Sequence, residues 1–211
     1  MKSDKRKYDW SAETESFREE YDVICNWVKK DSKVIDLACG NGSLMNLLTK
    51  RNDSKCVGVE KSKSGVEICK NKGLTVRNGS IDEKLDYLKD NEFDYSICSV
   101  TIQMLFYPEV TLSEMKRISK YQIISFPNYG YFTNRIELMF LGRFPRRQLA
   151  GYDWFDTGHI HNLTIKDFKN TVTKIFDLEI LDFYFPGKLR SINRFNPNLL
   201  ASTGVFLTKR I

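Results

Sequence analysis

The stretch Val34-Ile35-Asp36-Leu37-Ala38-Cys39-Gly40-Asn41-Gly42-Ser43-Leu44 carries the clearest structural pattern in this sequence. Its first residues form the short apolar, β-branched run of a covered parallel strand, and leucines resume at helical spacing directly after the glycines. Gly40 and Gly42 remove two Cβ atoms where the backbone must turn, so a ligand can lie against bare main chain and against the amides of a helix N-terminus. The stretch therefore predicts a strand, turn and helix that bind a nucleotide.

A second predicted strand, Cys56–Glu60, ends in an acidic side chain. Glu60 follows the glycine turn by about 20 positions, where a carboxylate is placed to accept hydrogen bonds from both ribose hydroxyls. A solvated strand end is the alternative interpretation of this residue. The agreement of loop, spacing and strand end favours a ribose contact.

The identity of the nucleoside is indicated by what the loop lacks. A dinucleotide site would have a third glycine where this chain has Met45. Asp36 places a carboxylate beside the loop, which suits a cationic ligand better than a pyrophosphate. S-adenosylmethionine carries a sulfonium and an amino group and has no phosphate. The motif DLACGNG followed by VGVE resembles the cofactor motifs of class I S-adenosylmethionine-dependent methyltransferases.

This resemblance implies an α/β, Rossmann-like fold. The expected architecture is a seven-stranded, mostly parallel sheet with an antiparallel last strand, here with an insertion after strand five. The expected cofactor is S-adenosylmethionine, with S-adenosylhomocysteine as the product. The residues that match or neighbour the family's cofactor-binding positions are Asp36, Ala38, Gly40, Gly42, Glu60, Ser80, Ile81, Ser99 and Gln103.

The adenine loop departs from the usual pattern of the class. Ser80 stands where an Asp commonly follows the glycine. Ser80 can still hydrogen-bond an exocyclic amine, while Asp82 can cap a helix that contains Leu85 and Leu88. The sequence leaves both roles open.

Composition indicates one domain spanning residues 1–211. The chain has 211 residues, of which 41% are hydrophobic, enough for one well-cored α/β domain but tight for two. No apolar run is long enough to span a bilayer and no signal-peptide core is present, so we expect a cytoplasmic protein that does not enter the membrane. The five cysteines are an odd, scattered set without metal-ligand spacing, which predicts buried thiols and no metal site.

Residues 1–30 are expected to form an N-terminal helical cap. An amphipathic helix is predicted over Ser11–Val28. Tyr8 and Trp10 precede it and either close over the bound nucleoside or pack as a hydrophobic staple.

The rest of the chain alternates between strands and helices up to strand five. The helix before strand five is predicted around Val110, Met115 and Ile118. A later helix begins at Thr164 with a capping box. The two last strands have no predicted helix between them, which implies antiparallel pairing. The other predicted elements are helices Ser62–Lys72 and Tyr131–Leu141 and strands Leu74–Arg77, Phe93–Ser99, Gln122–Phe126, Leu178–Phe185 and Val205–Lys209.

The segment 128–162 is too long and too aromatic for a connector. In the resembled fold, an insertion at this point lies over the methyl end of the cofactor, so it is expected to act as a lid and substrate wall. It holds both histidines of the chain, His159 and His161, as candidate general bases. Packing of a satellite core, or a homo-oligomer interface, is the alternative. The expected substrate contacts are Asn128, Tyr129, Trp154 and Arg147.

The net charge of +6 lies mostly downstream of residue 127. Three arginines cluster at positions 143–147, and Lys188, Arg190 and Arg194 form a second basic segment. These segments either bind an anionic substrate or partner or form a solvated basic face. Nucleic acid is disfavoured as the substrate, because Ser99-Val100-Thr101-Ile102 lacks the Asp or Asn, prolines and aromatic residue that amino-methylating nucleic-acid enzymes of this fold commonly carry.

Several segments resemble the methionine-biosynthesis MetW family more closely. They are Ser99-Val-Thr-Ile-Gln103, Ser125-Phe-Pro-Asn128, Tyr152-Asp-Trp-Phe-Asp-Thr-Gly-His-Ile-His161 and Leu163-Thr-Ile-Lys-Asp-Phe168. The resemblance implies an association with homoserine O-acyltransferase and leaves two hypotheses. In the first, the chain is a methyltransferase acting on a small, anionic molecule. In the second, it is a non-catalytic partner of the acyltransferase that senses the cofactor.

Overall fold

A seven-stranded sheet forms the centre of the molecule. The computed structural model describes residues 10, 18–149, 151–186 and 195–211. The strand order is β3-β2-β1-β4-β5-β7-β6, and β7 runs antiparallel to both of its neighbours while the other pairs are parallel. The strands are β1 (Lys33–Leu37), β2 (Lys55–Glu60), β3 (Thr75–Asn78), β4 (Phe93–Ser99), β5 (Ser119–Pro127), β6 (Leu178–Tyr184) and β7 (Thr203–Arg210). The predicted sheet is confirmed.

Helices cover both faces of the sheet. Consecutive residues of β1 point to opposite faces: Val34 packs in the cluster that contains residues of α1 and α2, whereas Ile35 packs in the cluster that contains residues of α4 and α6. The helices are α1 (Glu19–Trp27), α2 (Ser43–Asn52), α3 (Lys63–Asn71), α4 (Pro108–Ile118), α5 (Phe132–Leu141), α6 (Ile165–Lys174) and the short α7 (Pro197–Leu200). In the part of the chain described here, no helix is both long and apolar enough to cross a membrane.

The predicted helix around Leu85 and Leu88 is wrong, because residues 79–92 form turns. Leu85 is buried, but its backbone N–H donates to the Glu114 carboxylate at 2.8 Å and its carbonyl accepts from the Arg117 guanidinium at 3.1 Å. Arg117 also donates to the Leu88 carbonyl at 2.8 Å. Two charged side chains of α4 thus take the backbone groups that a helix would pair within itself.

Other predicted boundaries differ from the observed ones by a few residues. The capping box at the start of α6 is present, since Thr164 Oγ1 accepts from the Asp167 N–H and the Asp167 carboxylate accepts from the Thr164 N–H. Helix α7 was not predicted and lies within the polar connection between β6 and β7. Most of the predicted N-terminal cap, including Tyr8 and residues 11–17, lies outside the described residues.

Candidate functional site

The loop between β1 and α2 is built from left-handed residues at every second position. The φ angles are +67° at Ala38, +57° at Gly40 and +75° at Gly42. The first of these positions usually holds glycine in the resembled family, and a non-glycine residue pays a steric cost of about 1–2 kcal/mol there. The N–H groups along this turn are paired within the protein, since Ala38 and Cys39 donate to the Val59 carbonyl, Gly40 to the Glu60 carboxylate and Gly42 to the Cys39 carbonyl. These hydrogen bonds fix the shape of the loop.

Glu60 closes the loop from the end of β2. It is buried, and its carboxylate accepts hydrogen bonds from the N–H groups of Gly40 at 2.8 Å and Ser62 at 2.7 Å. A carboxylate has further lone pairs beyond these two contacts. Glu60 therefore holds the loop to the start of α3 and keeps acceptor capacity for ribose hydroxyls, a structural role that spacing alone did not predict.

Asp36 lies buried at the end of β1, beside the same loop. Burial, followed by the negative charge of Glu60, raises the pKa of the Asp36 carboxyl from 3.8 to about 7. Two carboxyl groups in one buried region are costly when both are ionised, unless a cation lies beside them. The arrangement suits a positively charged ligand.

The two loop glycines lack side chains for different reasons. A Cβ on Gly42 would lie 2.5 Å from Leu74 Cδ1 and 2.9 Å from Cys69 Sγ, so this glycine faces the protein interior. A Cβ on Gly40 would lie 2.8 Å from the ring of Trp10. The bare surface expected for a ligand at Gly42 is thus a packing contact, and the N–H of Gly42 donates to the Cys39 carbonyl at 2.9 Å.

Trp10 lies beside the loop between β1 and α2. Its indole lies against Gly40, and a Cβ on Gly65 in the first turn of α3 would approach the same ring at 3.1 Å. The backbone N–H of Trp10 donates to Ser64 Oγ at 3.1 Å. These contacts place an aromatic ring beside the loop, and its closure over a bound nucleoside stays a prediction. No motif marks this contact, which depends on the small residue at position 65.

The carboxyl ends of β4 and β5 meet next to the loop. Ser99 Oγ lies 3.1 Å from Ser125 Oγ, and the N–H of Val100 donates to both oxygens of Ser125 at 3.0 Å. Val100 has a φ of +52°, which is unusual for a β-branched residue and costs of order 1–3 kcal/mol. Strain of this kind is often found where a backbone is shaped for a ligand.

Gln103 connects this strand end to the insertion. Its side chain is fully buried and donates to the Val100 carbonyl at 2.9 Å, and its backbone carbonyl accepts from the N–H groups of Ile160 at 3.1 Å and His161 at 3.0 Å. Both histidines are thereby brought to the end of β4, with His161 exposed and His159 half-buried. Neither the Gln103 contact nor its direction could be read from the sequence.

Asn128 has its amide engaged inside the protein. Its Nδ2 donates to carbonyls around α7, the shortest contact being 2.7 Å to Ala201 O, and its Oδ1 accepts from the N–H groups of Gly130 and Ile165. The side chain therefore joins three segments, and its predicted contact with substrate stays a prediction.

Tyr129, next to Asn128, has a buried hydroxyl without a partner among the described residues, and burial raises the pKa of that phenol to about 12.

The other predicted site residues differ in how far they are buried and in what they contact. Ser80 Oγ accepts from the Asp82 N–H at 3.1 Å, and Ile81 is buried. Arg147 is exposed, 5.7 Å from the centre of the Tyr131 ring. Trp154 is largely exposed and contacts Phe155. The second basic segment, with Lys188, Arg190 and Arg194, lies outside the described residues.

The sequence matches a family of known proteins over most of its length. Residues 18–208 match the family described as methionine biosynthesis protein MetW. The chain belongs to the MetW family. A relative from Rhodopirellula baltica, named bifunctional methionine biosynthesis protein MetXA/MetW, is 29% identical over 200 residues, which cover 89% of this chain and 32% of the relative. This MetW-family chain thus spans about a third of that relative.

Solved structures with the same architecture include S-adenosylmethionine-dependent methyltransferases. One from Mesorhizobium loti superposes with a TM-score of 0.67 at 15% identity, covering 90% of this chain and 97% of the other. One from Thermotoga maritima, described as a possible histamine N-methyltransferase, has a TM-score of 0.63 at 17% identity, covering 91% and 88%. At these identities the likeness establishes the class I methyltransferase fold for this MetW-family chain.

Proposed function

We propose that this chain binds S-adenosylmethionine at the carboxyl ends of β1 and β2 and transfers its methyl group to a small, anionic acceptor. The observation that carries the proposal is the pair of buried carboxyl groups, Asp36 and Glu60, beside a loop of alternating left-handed residues. A cationic ligand next to Asp36 would favour the ionised form of a group whose pKa lies at about 7. Glu60 would accept from the ribose hydroxyls.

Other residues would complete the cofactor site. Trp10 lies against Gly40, and the N–H groups of Ala38 and Cys39 are already engaged with the Val59 carbonyl at 2.8 and 3.2 Å, which fixes the loop in its shape. Adenine would lie near Ser80 and Ile81, and the methyl end near Ser99 and Gln103, at the carboxyl ends of neighbouring strands.

The bound cofactor would supply an electrophilic methyl group. The chain's own part is to hold the acceptor in line with that group, to exclude water and to remove the acceptor's proton. His161 and His159 are the proposed bases, because the Gln103 carbonyl holds the backbone of this segment at the end of β4. Arg147, Tyr129, Asn128 and Trp154 are the proposed acceptor contacts, and the exposed guanidinium of Arg147 suits an anionic molecule.

Calorimetric titration with S-adenosylmethionine, S-adenosylhomocysteine and NAD tests the cofactor assignment. We expect the first two to bind at micromolar concentrations and Glu60→Ala to weaken them by about 1.5–3 kcal/mol. Glu60→Gln keeps an acceptor oxygen for the loop and should lose less, and Glu67→Ala, at an exposed position of α3, is the matched control. Tight NAD binding without any response to S-adenosylhomocysteine would rule out the assignment.

A methyl-transfer assay on small thiols, amines and carboxylates tests the catalytic part. His161→Ala should reduce turnover while leaving the affinity for S-adenosylhomocysteine nearly unchanged, because the imidazole is assigned to the acceptor side. Turnover that persists in both His161→Ala and His159→Ala would remove the histidines from the mechanism.

A second candidate function is that of a partner subunit of homoserine O-acyltransferase. The observation that favours it is the relative in which MetXA and MetW are named together in one polypeptide. In this candidate, bound cofactor reports methionine status to the acyltransferase. Stable co-purification of the two proteins without turnover on any acceptor would favour this candidate over methyl transfer.

A further inference from the structure

An apolar surface lies on the insertion, outside the cofactor loop. Helix α5 has one buried residue, Asn134, and exposes apolar side chains over much of its length. A helix that is apolar on several sides is normally covered by protein or lipid. We define the insertion surface as Phe132, Ile136, Leu138, Met139, Phe140, Leu141, Tyr152, Trp154 and Phe155, all of which are exposed.

Contacts within the insertion hold this surface together. The Glu137 carboxylate of α5 accepts from the Arg146 N–H at 3.0 Å and lies 3.6 Å from the Arg143 guanidinium. The N–H of Tyr152 in turn donates to the Leu149 carbonyl at 2.9 Å, and the Trp154 and Phe155 rings meet edge to face. The segment with Tyr152, Trp154 and Phe155 is thus connected to α5 through residues 143–149.

The size of the surface is that of a protein interface. Phe140, Tyr152, Trp154 and Phe155 are 71%, 53%, 75% and 69% exposed. An aromatic side chain can bury about 150–250 Å², so these four alone offer on the order of 500 Å². A partner in a stable complex contributes about 800 Å². The aliphatic and methionine side chains of α5 can supply the difference, and aromatic, Met and Arg side chains are those enriched in interfaces.

The charged residues around the insertion surface distinguish between the partners that could cover it. The charged residues between Phe132 and Leu149 are four arginines and one glutamate. A two-fold contact between copies of this chain would bring the arginines of one copy close to those of the other, and the like charges would repel. Asp153 and Asp156 flank the exposed Trp154 and Phe155, which disfavours an anionic membrane. A different protein with acidic residues around an apolar centre fits both features.

We propose that the insertion surface is the docking face for homoserine O-acyltransferase, with α5 and the Trp154–Phe155 turn as its anchors. The proposal rests on the second candidate function and assigns it a place on the molecule. The relative that combines MetXA and MetW in one chain favours this occupant, since its remaining length lies outside the part matched here.

The test is titration of the full chain with purified homoserine O-acyltransferase from the same source. Phe140→Ala and Trp154→Ala should each weaken binding by about thirtyfold or more, as expected for aromatic anchors. Phe195→Ala is the matched control, because Phe195 is 93% exposed and lies outside the insertion; it should bind like the original chain. Thermal unfolding of each variant shows whether the fold is kept, and both anchors are exposed enough that we expect little change.

Each result decides a different point. Binding that is equal in both anchor variants and the control would overturn the docking face and leave the partner function intact. Absence of binding by the original chain would overturn the partner function and the docking face together. Self-association abolished by Phe140→Ala, or binding to vesicles of anionic phospholipid abolished by Trp154→Ala, would overturn the proposal in favour of a second copy or of a membrane.

Discussion

At the scale of single residues, the Asp36 carboxyl makes the stability of the protein depend on pH. Its pKa is about 7 in the folded chain and 3.8 when exposed, so the folded state retains a proton that the unfolded state loses first. The contribution of this group to stability is therefore most favourable below about pH 4, falls as the pH rises from there to about 7, and is constant above that. The effect amounts to at most about 4 kcal/mol.

Asp36→Asn should remove this dependence. The amide has nearly the same shape and cannot ionise, so the variant should be more stable than the original chain at pH 7.5 and similar to it at pH 4. Urea unfolding across this range measures the difference, with Asp86→Asn at an exposed position as the control. Parallel pH curves for the original chain and Asp36→Asn would contradict the pKa assignment.

At the scale of elements, Asn128 holds the end of β5 to the start of α6 and to α7. Asn128→Ala would leave the N–H groups of Gly130 and Ile165 and several carbonyls without their partner. Because each unpaired buried group costs about 1–3 kcal/mol, we expect a loss of about 2–4 kcal/mol in the free energy of unfolding. Asn170→Ala, at an exposed position of α6, should lose little. A change of less than about 1 kcal/mol in Asn128→Ala would show that water replaces these contacts.

The elements also show what a sequence can and cannot predict. Strands such as β4 were predicted because a short apolar run between loops is a local property, and both of its ends agree with the observed ones. The helix at Leu85 was wrong because its backbone is bound by Glu114 and Arg117, about 30 positions later, and no local pattern reports such a competitor.

In the candidate site as well, local sequence patterns predicted some features, while others depend on residues that are distant in the sequence. The loop and Glu60 were marked by spacing, and the structure brings them together, because the Glu60 carboxylate accepts from the Gly40 N–H. Their contact with a cofactor stays a prediction. The interior role of Gly42 depends on Cys69 and Leu74, which come together with it only in the fold. Likewise, helix α5 was predicted from its pattern, whereas its exposure follows from what does not pack against it in the described chain.

At the scale of the whole molecule, the proposed cofactor site and the insertion are connected through Gln103. The Gln103 carbonyl accepts from both Ile160 and His161, and the Gln103 side chain donates to Val100, whose backbone is strained. A ligand at the end of β4 that shifts this turn would therefore also shift the insertion. A ligand can change the affinity for a partner only if it favours one of two arrangements, and the coupling is then reciprocal.

We therefore expect saturating S-adenosylhomocysteine to change the dissociation constant for homoserine O-acyltransferase by about fivefold or more, the lower end of typical allosteric coupling. The acyltransferase should change the affinity for S-adenosylhomocysteine by the same factor, which calorimetry can measure in both directions. Gln103→Met keeps the volume of the side chain but loses its amide contact with Val100, so it should reduce the coupling while both ligands still bind. If neither ligand alters the affinity for the other in the original chain, the turn at Gln103 does not link the two sites. A change in one direction without its equal in the other would indicate a contaminating equilibrium such as self-association, because linkage requires the two factors to match.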